Sequence, residues 1–397
     1  MIFTTYWFHV FAVVVVAAYW LLWRQGLRIW FLALACLVFH YHFAGPAGMA
    51  PIIILMIVTY AAGRSRRRWA CNTAMGLCVG TLCLYKYAVF LIGAVVGPLD
   101  QGLAGHLSQS AVSLLPALPP LGISFFVFEF VHYLFEVRRG GEPIKSPLKF
   151  LVFCIFFPSL VAGPIKRYPQ FLASLDQGSR QFEFMNIASG MFRIAVGFFK
   201  KIVIADNLNF YVTTNFPDFE SLGLGERWAF LAALSFRILM DFSGYSDIAI
   251  GAAQLLGVRL PENFNWPYFA GSIRDFWQRW HISLSSWIRD YVYIPLGGNR
   301  LGLGRRVLNG LISFAVIGLW HGPAWNFVLW GLYHGAGLAA CSTYSAVPVA
   351  GPLLRKVLQK EPLIGWVSTQ LFVWLGWLLF FYPAPVAWNM ATLLFTQ

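Results

Sequence analysis

The sequence predicts an all-α polytopic membrane protein, and two observations carry that reading. Of 397 residues 58% are hydrophobic and only 11% are charged, where a soluble domain carries about 25% charged residues. Long apolar runs recur from residue 2 to residue 382. A hydrocarbon core of roughly 30 Å takes about 20 apolar residues per helix, so these runs amount to about ten or eleven membrane helices. They form a single domain, with N-terminal helices at 1–118, a central region at 119–342, and a C-terminal loop and last helix at 343–397.

The first run has no Lys or Arg before Arg24 and no small-residue cleavage site after "FAVVVVAAYW". It therefore reads as a retained helix and not as a removed signal peptide. The next two runs, 29–44 and 49–62, are turned by "GPAG" at 45–48 and lie between two basic loops, one with Arg24 and Arg28 and one with "RSRRR" at 64–68. Basic loops mark the cytoplasmic side, which leaves the N-terminus extracytoplasmic. A span over about 69–97 leads out to residues 98–118, which hold Asp100 and no Lys or Arg, and 123–136 returns to Arg138, Arg139, Lys145 and Lys149.

Parity breaks at 150–163, because a full crossing there would put Lys166 and Arg167 outside. Pro158, Gly163 and Pro164 instead predict a bent or re-entrant segment, which survives at depth only when buried in protein or lining a wet cavity. The net charge of +13 follows from such loops and from attraction to anionic lipid, with no nucleic-acid partner. The six cysteines lie in apolar spans without C-x-x-C spacing, which argues against disulfides and zinc. Exposed loops are expected at 98–118, 207–225 and 343–362.

Residues 273–291, "IRDFWQRWHISLSSWIRDY", place Ile273, Phe276, Trp277, Trp280, Leu284, Trp287, Ile288 and Tyr291 on one helical face. That pattern predicts one amphipathic helix lying along an interface, with His281 at the border of its apolar stripe. In "GLWHGPAWNFVLWGLYHG" (318–335) His321 sits in a Trp-rich, uncharged run, and an ionisable group there is a functional candidate. Pro323 should interrupt the helix, so His321 and His334 need not share a metal. His9, His40, His42, His106 and His132 read as structural.

Other constellations fail their tests. "DFSGYSD" (241–247) is spaced like the start of a calcium loop, but Ser246 stands where the turn glycine belongs and Ala252 where the bidentate Glu belongs. No G-x-S-x-G, H-E-x-x-H or phosphate-binding glycine loop is present. What is left is chemistry that a lone histidine base can perform.

The stretch "MDFSGYSDIAIGAAQLLGVRLPENFNWPYFAGSIRDFWQRWHISLSSWIRDYVYIPLGGNR", with "GLWHGPAWNFVLWGLYHG", "LGISFFVFEFVHYLFEVRRG" (121–140), "FFPSLVAGPIKRYPQF" (156–171) and "GFFKKIVIADNL" (197–208), resembles the membrane-bound O-acyltransferase family. The likeness runs over about 120–335 and is strongest to a bacterial branch with alginate-acetylating and teichoic-acid D-alanylating members. It implies a ring of tilted helices, with re-entrant and interfacial helices, around a central funnel in the bacterial inner membrane. It implies that His321 is a general base activating a hydroxyl against an acyl thioester, and that His281 orients the acceptor or stabilises the oxyanion. Trp280, Trp320 and Asn326 would line the tunnel with Ser283 and Ser285, either of which could alternatively carry a covalent acyl group.

The donor implied is acetyl-CoA or the phosphopantetheine of an acyl carrier protein, with no tightly bound cofactor and no metal. Arg138 and Arg139 would steer that donor from the cytoplasm, and a periplasmic transferase or glycan-binding protein would act on the far side. The acceptor expected is a periplasmic or cell-surface polysaccharide, most readily for acetyl transfer, with D-alanyl transfer as an alternative. A different class stays open: a flippase moving an acylated carrier, using Lys86, Glu129 or Asp206.

Overall fold

A computed structural model describes residues 2–116, 119–348, 352, 356 and 360–396 of the chain. All regular structure among the described residues is helical, as hydrocarbon demands of any backbone that is not a closed barrel. Four of these helices are long and apolar enough to cross a membrane: Gln25–Ser65, Arg68–Val96, Gly302–His321 and Pro362–Phe381. Tyr6–Leu21 and Pro147–Ser159 are apolar but shorter. The chain divides into two compact units, residues 1–196 with 245–261, and residues 197–244 with 262–397.

In the first unit, Tyr6–Leu21 begins at Thr5, whose hydroxyl accepts the Phe8 amide. The following helix, Gln25–Ser65, has 41 residues and breaks at Gly45 (φ 65°, ψ 175°), a backbone conformation that favours glycine. His40 packs on Phe126 at 5.4 Å, and a side chain at Gly63 would collide with Tyr133. Phe126 and Tyr133 stand about 10 Å apart along their helix, whereas His40 and Gly63 would stand about 35 Å apart on a straight one. The two halves therefore fold back at Gly45, as the "GPAG" sequence predicts.

The basic ends of the unit's helices converge. Arg28 donates to the carbonyls of Leu22, Ser179 and Arg180, and Gln25 donates to that of Asp176. Lys149 pairs with Asp176, Tyr60 donates to the Lys145 carbonyl, Arg66 pairs with Glu142, and Arg138 donates to Asn72. The loops at 24–28, 64–68 and 138–149 thus lie at one end, where the charge parity puts them. Lys86 and Ser124, which share a hydrogen bond of 3.3 Å, mark the opposite direction along the same helices.

The segment after 146 enters and leaves at that basic end. Pro147–Ile155 is capped by Ser146 and is about 13 Å long, less than half a bilayer core. The backbone then turns through Phe157–Ser159 and returns to Tyr168, whose hydroxyl donates to the Glu142 carbonyl. Lys166 on the return limb is 2% exposed, ion-paired with Glu129, and set over the rings of Phe153 and Phe171 at 5.2 and 5.7 Å. Of the two cations that would break parity, Lys166 is inside the protein and Arg167 is half-buried.

Two loop expectations need correction. Within 98–118, Gln101–Leu114 is a helix capped by Asp100, whose Oδ1 accepts the Leu103 amide; positions 117 and 118 lie outside the described residues. Polar Gln, Ser and His interleaved with Leu103 and Leu107 at helical spacing were mistaken for loop composition. Within 207–225, the helix Asp206–Asn215 takes up the first half, because its polar residues cap and pair locally, Asn207 and Asn215 donating to carbonyls four residues back. Within 343–362, a helix runs to Ala346, and 349–351, 353–355 and 357–359 lie outside the described residues.

In the second unit, Gly302–His321 and Trp325–Ala346 form an antiparallel hairpin in van der Waals backbone contact. A Cβ on Gly318 would stand 2.1 Å from the Phe327 carbonyl oxygen, and one on Gly331 2.2 Å from that of Phe314. Small residues are what permit such close approach between apolar helices. Pro362–Phe381 packs against the second arm, with Gly376 facing Tyr333 and His334, and Tyr268 ties in two more segments: its hydroxyl donates to the Ser235 carbonyl and accepts from Trp377 Nε1.

These packings predict two stability outcomes. Glu129→Ala should cost about 3–5 kcal/mol by leaving Lys166 buried and unpaired, while Glu129→Leu with Lys166→Met should recover most of it; equal unfolding midpoints in detergent for Glu129→Ala and wild type would refute the pairing. Gly318→Ala should cost about 1–3 kcal/mol through overpacking, whereas Gly310→Ala on the same helix, where a Cβ meets nothing within 4 Å, should leave the midpoint unchanged.

Candidate functional site

The amphipathic run at 273–291 is not one helix. It is Ile273–Arg279, then Trp280 in extended conformation, then His281 in the left-handed region (φ 42°, ψ 55°), then Ile282–Ile288 and a π-helical turn Arg289–Tyr293. The cause is the chain at 263–265, which takes up backbone groups at the break: Asn265 N–H donates to the Arg279 carbonyl and Ile282 N–H donates to the Asn263 carbonyl, both at 2.9 Å. A non-glycine residue in this region costs about 1–3 kcal/mol and persists only where surroundings enforce it. His281, expected at a stripe border, is instead 1% exposed.

At the break, Trp280 faces Phe276 and Tyr268 with nearly parallel rings at 5.5 and 6.2 Å and leans on Trp377 at 4.8 Å. The His281 imidazole meets the ring of Phe242 edge-on at 4.6 Å and that of Trp320 at 5.7 Å. Among the described residues, neither of its nitrogens has a hydrogen-bond partner. Ile273–Arg279 and Ile282–Ile288 are each too short to span, and His281 lies between them. Its pKa is pushed well below the ordinary histidine value by burial, and further by the charge His321 would carry. A neutral imidazole there can accept a proton or a hydrogen bond.

His321 is the last residue of Gly302–His321. The helix stops because Gly322 is extended and Pro323 cannot continue it, as the sequence predicts. Its ring sits between Trp320 at 4.8 Å, Phe380 at 5.0 Å and Trp330 at 5.2 Å. Trp320 is therefore in ring contact with both imidazoles. Asn326 is at the rim, its amide donating to the Phe380 carbonyl at 3.3 Å. His334 is fully buried on the same Trp330 ring, at 5.1 Å, and accepts from Trp277 Nε1 at 3.3 Å.

Ser283 donates to Asn263 Oδ1 at 2.6 Å and Ser285 donates to the Trp280 carbonyl at 3.2 Å, so both hydroxyls fasten the break. Arg138 and Arg139 belong to the first unit, where both guanidinium groups lie over Phe135. Asp241 pairs with Lys201 and Asp247 with Arg193, and among the described residues no group of three His, Cys, Asp or Glu is placed to hold a metal.

A cavity of about 510 Å³ lies next to the histidine motifs, lined by Arg274, Arg289 and Arg306 together with Trp277, Ile282 and Ile317. Ile282 follows His281, and Ile317 lies one turn before His321. Neither histidine lines the cavity. Charge parity along the chain does not reveal these arginines as a cluster; the signal in the sequence is Arg274, Arg289 and Arg306 spaced around two histidine motifs.

The model of the membrane-bound O-acyltransferase family matches residues 136–384. The chain is 35% identical over 336 residues to a probable alginate O-acetylase of Azotobacter vinelandii, covering 84% of this chain and 64% of that one. It is 34% identical to a peptidoglycan O-acetyltransferase of Helicobacter pylori, covering 68% and 56%, and 33% identical to a teichoic acid D-alanyltransferase of Bacillus subtilis, covering 66% and 75%. It thus spans less than two thirds of the length of the acetylating relatives. Both histidine motifs, the break that carries His281 and the helix end that carries His321 all fall inside the matched span, and the chain belongs to the membrane-bound O-acyltransferase family.

Proposed function

We propose that this chain is a membrane O-acyltransferase that moves an acyl group, acetyl in the first instance, from a thioester supplied at the cytoplasmic face to a hydroxyl of a cell-envelope polysaccharide. The observation that carries this reading is the pair of imidazoles, from two separate elements, that both pack against Trp320. His321 takes the proton from the attacking hydroxyl as its oxygen bonds to the thioester carbon. The C–S bond then breaks, and the proton passes to the departing thiolate. His281 holds the acceptor hydroxyl or the developing oxyanion.

The cavity beside the pair suits the donor. Its arginines, Arg274, Arg289 and Arg306, match the phosphate of a phosphopantetheine arm or of acetyl-CoA, and its apolar floor matches the arm itself. On this reading the basic end of the first unit, with Arg138 and Arg139, faces the cytoplasm of a bacterial inner membrane and attracts an acidic acyl carrier protein, the N-terminus is extracytoplasmic, and a periplasmic transferase or glycan-binding partner receives the product. D-alanyl transfer is the second reading, favoured by the Bacillus relative, of which the chain covers 75%.

His321→Ala should lower thiol release from acetyl-CoA by at least about 10², the usual contribution of a general base, in detergent-purified protein with an acceptor hydroxyl present. His281→Ala should also impair turnover. Activity of His321→Ala within about tenfold of wild type would sink the assignment, and acylated carrier crossing sealed vesicles independently of His321, with no thiol released, would make the chain a flippase.

The orientation has its own test. In a cysteine-free background, Arg66→Cys should be shielded from a membrane-impermeant thiol reagent in intact spheroplasts, and Ser110→Cys should react. The reverse pattern would exchange donor and acceptor sides.

A further inference from the structure

His281, the left-handed residue, is held from outside its own helix pair, by two backbone bonds to 263–265 and by the side chain of Asn263. Asn263 is 1% exposed. Its carbonyl accepts the Ile282 amide at 2.9 Å, and its Oδ1 accepts the Ser283 hydroxyl at 2.6 Å and the Ser283 amide at 3.4 Å. These are the two residues that follow His281, so the first turn after the histidine is pinned at both positions. On the other side of the break, Asn265 bonds Arg279, and Ser285 closes the Trp280 carbonyl.

The imidazole itself receives no such support: among the described residues its nitrogens have no hydrogen-bond partner. Its direction is therefore set by the backbone, and an L-residue at positive φ relaxes towards helix when the outside hold is removed. Relaxation would continue the helical pattern already written into 273–291 and swing the ring away from Trp320.

We infer that Asn263 is a positioning residue for this acyl transfer, acting through His281. The inference rests on the reading of His281 as an active-site group. Asn263→Ala should lower kcat for thiol release from acetyl-CoA by about tenfold or more with KM for acetyl-CoA unchanged. Asn263→Asp, which keeps the Oδ1 acceptor, should restore most of the rate. Asn263→Ala should add nothing in a His281→Ala background, since residues acting as one unit are not additive. Ser283→Ala, which removes only the shortest of the bonds, gives an intermediate loss and serves if Asn263→Ala does not fold.

A second readout needs no turnover. Carbethoxylation of the intact, detergent-purified protein by diethyl pyrocarbonate, followed by mass spectrometry, should show His281 modified several-fold faster in Asn263→Ala than in wild type, with His321 unchanged. Equal His281 reactivity, a kcat within about twofold of wild type, or an undiminished additional loss in the His281→Ala background would overturn the proposal. Full activity of His281→Ala would instead defeat the reading of the site, while the reactivity comparison would still decide whether Asn263 holds the histidine.

Discussion

Everything irregular in this chain answers to one constraint: backbone amides and carbonyls in hydrocarbon must be bonded within the protein. Among the described residues, two buried places leave the helical pattern and are closed by protein groups. In the first unit the turn at 156–160 is buried and made of Phe, Pro, Ser and Leu. In the second unit the break at Trp280–His281 is closed by the segment at 263–265. The candidate active site sits at the second of these, where a departure from helix turns a buried imidazole towards Trp320.

Most of the fold was legible because apolar runs, glycine-proline turns and basic loops are local signals of that same constraint. Gly45 breaks its helix where the sequence says, the 24–28, 64–68 and 138–149 loops gather at one end, and Lys166 is inside a segment that charge parity, with Pro158, Gly163 and Pro164, reads as re-entrant. The family was legible from its two histidine motifs.

The break at His281 was not legible. The apolar period of 273–291 runs unbroken through Trp280, so periodicity reports a helix there. What interrupts it is a pair of backbone bonds to residues fourteen and nineteen positions earlier, and local propensity does not contain them. His281 is also not the residue type that announces positive φ, as glycine would. The arginine-lined cavity was missed for a related reason: charge parity asks on which side a cation lies and not what three cations from different helices enclose.

Lys166 bears on the order in which the molecule can be made. An ammonium in hydrocarbon without its carboxylate is strongly disfavoured, so the limb carrying Lys166 cannot settle until the helix carrying Glu129 is in place. Glu129 precedes Lys166 along the chain, and synthesis runs in the same direction. During insertion the 147–167 segment must wait at the water interface and then fold inward as a completed hairpin against Ile123–Arg138. Its docking therefore follows the insertion of Ile123–Arg138 and precedes the packing of residues 245–261, which the chain supplies last to the same unit.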